Sequence, residues 1–201
     1  MKKTRTILAL ATLALGTAAP AFAQFYIGGG AGRSMVNHGS YTRTGVTVSG
    51  LDSSESSLQI NGGYQFNRTW GVELQYTDLG SRNGTACTGG VCRSTPDVKA
   101  YQWGIAGTAT YDFAQTWFVR GKLGLSSNHL DSLSGTVNGT TYTNNGSSKQ
   151  DLLVGFGIGH RWNRNVTTRV EYERFGKFAL DNGSAEGTGS NIGLRFEYSF
   201  Q

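Results

Sequence analysis

Proline is nearly absent from this chain, with two in 201 residues. Glycine is abundant at 30, and aromatic residues make up 11%. That profile fits many short strands better than helices. Cysteine is equally scarce: Cys87 and Cys92 are the two, five positions apart in Cys87-Thr88-Gly89-Gly90-Val91-Cys92. A metal or cluster site would need further Cys or His ligands, and none lie close by in sequence. Long apolar runs are also missing. Past residue 23 no stretch is long enough for a transmembrane helix. The length fits one domain or two small ones.

The first 23 residues stand apart. Lys2, Lys3 and Arg5 form a basic start, Ile7–Ala19 is apolar, and Ala21-Phe22-Ala23 is a small-residue cleavage site before Gln24. This is the pattern of a secretory signal peptide over 1–23; the apolar run is short for a membrane anchor and no stop-transfer flank follows. The mature chain is then 24–201. Its charge is nearly balanced, because cleavage leaves 15 of the 18 basic residues against 13 acidic ones, a net of about +2. Nucleic acid is therefore not an expected partner. Export to an oxidising compartment favours a disulfide between Cys87 and Cys92.

What is present is period two. Apolar and polar side chains alternate in eight stretches: Gln24–Met35, Ser57–Phe66, Trp70–Asp78, Val98–Phe113, Trp117–Ser127, Asp151–Trp162, Val166–Phe175 and the closing run from Asn191. Asn67-Arg68-Thr69, Ala114-Gln115-Thr116 and Asn163-Arg164-Asn165 are tight turns between them. The other connections, roughly 36–56, 79–97, 128–150 and 176–189, are long and rich in Gly, Ser, Thr and Asn. They are expected to be mobile loops. Inside the third, Asn138-Gly139 between Ser134–Val137 and Thr140–Thr143 signals a hairpin, and strands are expected to extend beyond the main body there. Short turns at one end and long loops at the other describe an all-β fold, an eight-stranded antiparallel up-and-down barrel.

Three features turn the apolar face toward lipid, making the barrel transmembrane. Trp70 and Trp117 directly follow short turns, Trp162 precedes one, and Phe66 and Phe113 stand across them; Trp103 approaches the long-loop end. All share the apolar parity, as interfacial girdles do. Gly28, Gly30, Gly32, Gly155, Gly157 and Gly159 take the polar parity, leaving room in a narrow lumen. The polar parity also carries Arg120, Lys122, Arg161, Arg169 and Arg195 against Glu73, Asp112, Glu171, Glu173 and Glu197. Equal numbers of opposite charge suit a paired lumen network, since unpaired buried charge is costly. Arg33 and Arg174 have lipid-face parity near long loops and are placed at the rim.

The stretches "FYIGGGAGRS", "WGVELQYTDLG", "FVRGKLGLS", "VEYERFGKF" and "IGLRFEYSF" together resemble the OmpA-type family of eight-stranded outer-membrane barrels, including its OmpX-like members. The resemblance spans Gln24 to Gln201. It implies an outer-membrane location in a Gram-negative cell, contact with membrane lipid and lipopolysaccharide, and insertion by the barrel assembly machinery. Gly193 with Phe196, Tyr198 and Phe200 resembles the family's C-terminal insertion signal, although Gln201 follows where the family ends on the aromatic. The resemblance also implies lumen salt bridges that can gate a thin water path, with Glu73, Lys122, Arg169 and Glu171 as candidates. The resemblance is to the family's barrel alone, so the peptidoglycan-binding role of OmpA proper is not expected here.

No phosphate loop, zinc-protease motif or nucleophile elbow is present. Ser126, Ser127, His129 and Asp131 are a weak catalytic cluster in a loop where serine is common. Glu171 and Glu173 look like a carboxylate pair, but neighbouring Arg169 and Arg195 favour salt bridging. His38 reads as a solvated loop residue and His160 as an interfacial one. The expectation is a monomeric, non-enzymatic outer-membrane barrel with no cofactor, acting through its external loops. A narrow ion pore is the alternative, and a lipid A-modifying enzyme is a more distant one.

Overall fold

Asparagine closes two of the three short connections by the same device. The Asn67 side-chain oxygen accepts from the amides of Thr69 (2.9 Å) and Trp70 (2.8 Å). Asn163 accepts from Asn165 and Val166, both at 2.8 Å. Each side chain mimics a backbone turn and reverses the chain within four residues. The third reversal is held by Ala114 N donating to the Trp117 carbonyl.

The structure, a computed structural model, describes residues 24–38, 41–43, 45–49, 53–144, 146–180 and 185–200. Residues 1–23, read above as a signal peptide, and Gln201 lie outside these residues. The strands are β1 (Gln24–His38), β2 (Tyr41–Arg43), β3 (Val46–Ser49), β4 (Ser53–Gln65), β5 (Trp70–Arg82), β6 (Thr85–Thr88), β7 (Val91–Ser94), β8 (Val98–Asp112), β9 (Trp117–Leu130), β10 (Leu133–Val137), β11 (Thr140–Asn144), β12 (Ser147–Arg161), β13 (Val166–Leu180) and β14 (Ala185–Phe200). Eight of them close a barrel in the order β1-β14-β13-β12-β9-β8-β5-β4, every pair antiparallel. Closure pairs first with last, Ala31 opposite Leu194, so the barrel has no free edge.

Several barrel strands run further toward the long connections than the alternation indicates. β4 begins at Ser53 rather than Ser57, β12 at Ser147 rather than Asp151, and β14 at Ala185 rather than Asn191. Above the hydrocarbon both faces carry Ser, Gly and Thr, so alternation fades while backbone pairing continues.

The connections expected to be mobile loops hold six further strands among the described residues. β10 and β11 form the expected hairpin, with Asn138 (φ 48°) and Gly139 (φ 76°) both in the left-handed region that a two-residue turn requires. The first and second connections combine in a way the sequence does not announce. They make one four-stranded sheet, β2-β3-β6-β7, in which Thr47 lies opposite Cys87. Cys87 and Cys92 are register partners across β6 and β7 and are disulfide-bonded. The bond crosses only the outer hairpin, so its loss should not reach the barrel. With Cys87→Ser/Cys92→Ser, trypsin is expected to cut faster at exposed Arg93 while the barrel fragment stays protected, as read by gel and mass spectrometry.

Candidate functional site in the lumen

The molecule is inverted relative to a protein that folds in water. Phe156 is 60% exposed, and Ile27, Leu58, Leu74, Ile105, Leu123 and Phe196 are likewise exposed around the wall. Arg169, Arg195, Glu73, Glu171 and Glu173 are among the most buried side chains. An apolar band of this extent in contact with water would aggregate; in hydrocarbon it is the favourable surface.

Glycine makes the inversion possible. In the ladders Gly155 lies between Lys122 and Glu173, Gly157 between Arg120 and Glu171, and Gly28 between Asn61 and Glu197. A Cβ on Gly157 would meet the Arg169 side chain at 3.0 Å, and one on Gly30 would run into the Leu194 carbonyl. These positions are small because long charged chains from the flanking strands cross over them.

Four basic and four acidic side chains are buried in the lumen among the described residues: Arg120, Lys122, Arg169 and Arg195 with Glu73, Glu171, Glu173 and Glu197. Lys122 Nζ contacts three carboxylates at once, Glu73, Glu171 and, at 2.9 Å, Glu173. Arg169 pairs with Glu171, reaches Glu197 at 2.7 Å and meets Glu73 at 3.5 Å. Arg120 contacts Glu197 at 3.1 Å and Glu73 at 3.8 Å, and Arg195 contacts Glu173 at 3.5 Å. Glu73 on β5 faces β13 across the barrel, so its contact with Arg169 joins opposite walls, while the other pairs link side chains of the same strand or of strands up to three apart in the barrel order.

Neutral groups complete the network. Tyr26 donates its hydroxyl to Glu73 at 2.8 Å, Lys122 donates to the Gln75 side chain at 3.1 Å, and Asn61 donates to Glu197 at 3.1 Å. Sequence reading missed Tyr26, although its parity between outward Phe25 and Ile27 points it inward. Asp112 and Arg161, read into the same network, do not join it. They pair with each other at 2.7 Å in the short-turn mouth, both partly exposed, because their strands reach water there.

Toward the long connections the interior also holds an apolar cluster, among buried Ser, Thr, Asn and Gln side chains, which period-two reading missed. Val36, Leu79, Leu153, Phe175 and Phe178 are buried and form one cluster with Val46, Val48 and Ala86 of the loop sheet and with Val137 and Tyr142 of the β10–β11 hairpin. Leu153 is hidden between outward Leu152 and Val154, so its run of three apolar residues shows no face. The loops thus cap the barrel with a small soluble-type core.

On the outside, Trp70, Phe113, Trp117 and Trp162 ring the short-turn end, with Phe66 packed edge-on to Tyr64 at 5.3 Å. Trp103 stands nearer the long loops against Tyr76 at 4.7 Å. His160 sits between Trp117 and Trp162 at 4.9 and 4.7 Å. Arg33 and Arg174 are exposed, opposite Ser56 and Ser190. Phe196, Tyr198 and Phe200 face outward on β14 while Gly193 faces in. The weak catalytic cluster separates: Ser126 turns inward to the Phe175 carbonyl at 2.6 Å. His129 meets Ser148 at 2.6 Å instead, with Asp131 at 3.7 Å.

A closed barrel with lipid-facing apolar walls, an ionised interior and short turns at one end defines an outer-membrane β-barrel protein. The chain belongs to the family described as outer membrane protein beta-barrel domain, whose profile matches residues 6–200. No curated protein sequence matches it as a relative. Solved structures share its fold. OprG from Pseudomonas aeruginosa is 15% identical with a TM-score of 0.62, covering 90% of this chain and 97% of that one. Neisserial surface protein A is 18% identical with a TM-score of 0.59, covering 88% and 97%. Ail of Yersinia pestis, solved with the heparin analogue sucrose octasulfate, is 18% identical with a TM-score of 0.53, covering 89% and 99%.

Proposed function

We propose that this chain is a monomeric, non-enzymatic scaffold that displays its four long connections outside the cell for contact with other molecules or surfaces. Cleavage before Gln24, insertion by the barrel assembly machinery through the last strand, and packing against lipid and lipopolysaccharide belong to the same proposal. One observation carries it: the interior is spent on buried ion pairs and an apolar cluster, while the outer end is built into a disulfide-tied sheet and a hairpin. A lumen filled in that way supports display over conduction, the competing role for a small barrel.

The Ail complex makes a sulfated saccharide the first probe for these loops. Cells carrying this protein are expected to bind immobilised heparin more than cells lacking it, and replacing 131–146 by a short Gly-Ser link is expected to lower that binding. Equal binding by all three strains, with discrete channel openings in planar bilayers that change in Glu73→Ala, would replace display by a gated pore.

A further inference from the structure

Two of the eight wall pairings stop short. β4 and β5 pair from Gln65–Gly71 up to Leu58–Asp78, and β12 and β13 pair from Arg161–Thr167 up to Val154–Arg174. The two ladders are equivalent, each residue of the second lying 96 positions after its counterpart in the first. Among the described residues no backbone pairing joins these strands further toward the long connections, although all four run on. A β-bulge follows each last pair. The register shifts between Asp78 and Ser81 and between Arg174 and Gly176, with Gly80 (φ 79°) and Gly176 (φ 77°) in the left-handed region. The other six pairings continue toward that end. The outer end is therefore two four-stranded sheets, β13-β14-β1-β4 and β5-β8-β9-β12, meeting at two seams on opposite sides of the barrel.

Side chains bridge the seams where the ladder does not. At the first, Ser34 of β1 donates to the Leu79 carbonyl at 2.8 Å and lies 3.4 Å from that of Glu55. At the second, Ser126 of β9 donates to the Phe175 carbonyl at 2.6 Å and lies 3.3 Å from that of Asp151. Asn128 donates to the Phe175 and Lys177 carbonyls at 2.8 and 3.0 Å, and the Lys177 amide donates to the Asp151 carboxylate at 2.8 Å. A seam held by a few side-chain bonds opens more readily than a continuous ladder. Asp78 and Arg174, exposed on the outward face at the last pairs, set both seams at the level where a bilayer tolerates charge. Backbone freed by parting can be hydrated there.

The two seams differ above this level. β3, from the connection after β1, pairs with β6, from the connection after β5, and so straps the two half-sheets together beyond the first seam. At the second seam the neighbouring connections stay within their own halves, because β10 and β11 join β9 to β12 and β13 leads to β14. We propose that the β12–β13 seam is the mouth of a hinged outer end. The half-sheets part there, turning about the strapped β4–β5 seam, while the ladders below stay closed. Ser126, Asn128 and Asp151 form the latch, and parting uncovers Leu153 on one lip and Phe175 and Phe178 on the other.

The test is double electron–electron resonance on the full-length mature protein in lipid nanodiscs, spin-labelled with the native disulfide kept oxidised. Labels at Gln150→Cys/Thr188→Cys span the mouth with β13 between them, and labels at Ser54→Cys/Lys99→Cys span the hinge with β5 between them. The mouth pair is expected to show a second, longer distance and the hinge pair a single one. Asn128→Ala and Asp151→Ala, made separately, are expected to raise the longer population at the mouth by about threefold or more and to leave the hinge pair unchanged. Retained heat-modifiable gel mobility shows that the variants fold; if they do not, the comparison of the two pairs in the otherwise unaltered chain decides. A single distance at both pairs, a second distance equally populated at both, or a mouth population untouched by either folded variant overturns the proposal. None of these results bears on what the outer loops contact.

Discussion

Lys122→Met is expected to destabilise the barrel by about 3–5 kcal/mol, the scale for removing one partner from a buried ionic cluster. Lys122 is the cation shared by Glu73, Glu171 and Glu173, and its side chain is sealed from solvent. Methionine keeps most of the volume, so the loss is electrostatic. The buried cluster goes from four charges of each sign to an excess of one negative, among side chains buried from bulk solvent. The second variant separates this from a packing defect. Lys122→Met/Glu173→Gln restores balance, so the pair should be markedly less destabilised than the sum of the two single changes. Guanidinium unfolding in lipid–detergent mixtures, followed by tryptophan fluorescence, reads both. A Lys122→Met loss below about 1 kcal/mol, the level of an exposed ion pair, would mean that this lysine does not sit among three carboxylates.

The second large effect is on the opposite face. Phe156→Arg places a charge midway along β12, on a side chain that the structure leaves 60% exposed. If hydrocarbon covers it, the cost is about 2–4 kcal/mol; for Ser56→Arg, on the outward face near the long loops, it is about 0–1 kcal/mol. A barrel standing in water would show the reverse logic, since an exposed Phe→Arg is worth only about ±0.5 kcal/mol there. Refolding equilibria in bilayers measure the difference between the two sites. Equal small costs at both would remove lipid from the wall.

The wall was legible because every lipid-facing position must be apolar and every second residue faces lipid. That constraint wrote Leu74, Ile105, Leu123 and Phe156 into a strict alternation that names strands, faces and the girdle tryptophans together. The inward charges were legible as the complementary set, but their partners were not. Lys122 meets Glu171 and Glu73 from strands 49 residues on and 49 residues back, pairings that only the curvature and stagger of a closed barrel bring together. Asp112 and Arg161 share the parity of the network and yet fall outside it, because depth along the axis is not encoded by parity.

The chain alone determined that strands of period two would alternate oil and charge, that three asparagine- or alanine-led turns would be short, and that the barrel would close around glycine-spaced arginines and glutamates. Only the tertiary structure decided which charges neutralise one another, that Phe175, Phe178 and Leu153 are buried in one cluster with residues of the loops, and that the first two loops merge into one sheet. The reason is physical. A bilayer imposes its demand on each residue separately, so it is readable one position at a time. Ion pairing, capping and loop docking depend on distances between residues far apart in the chain, and those distances exist only once the barrel has closed.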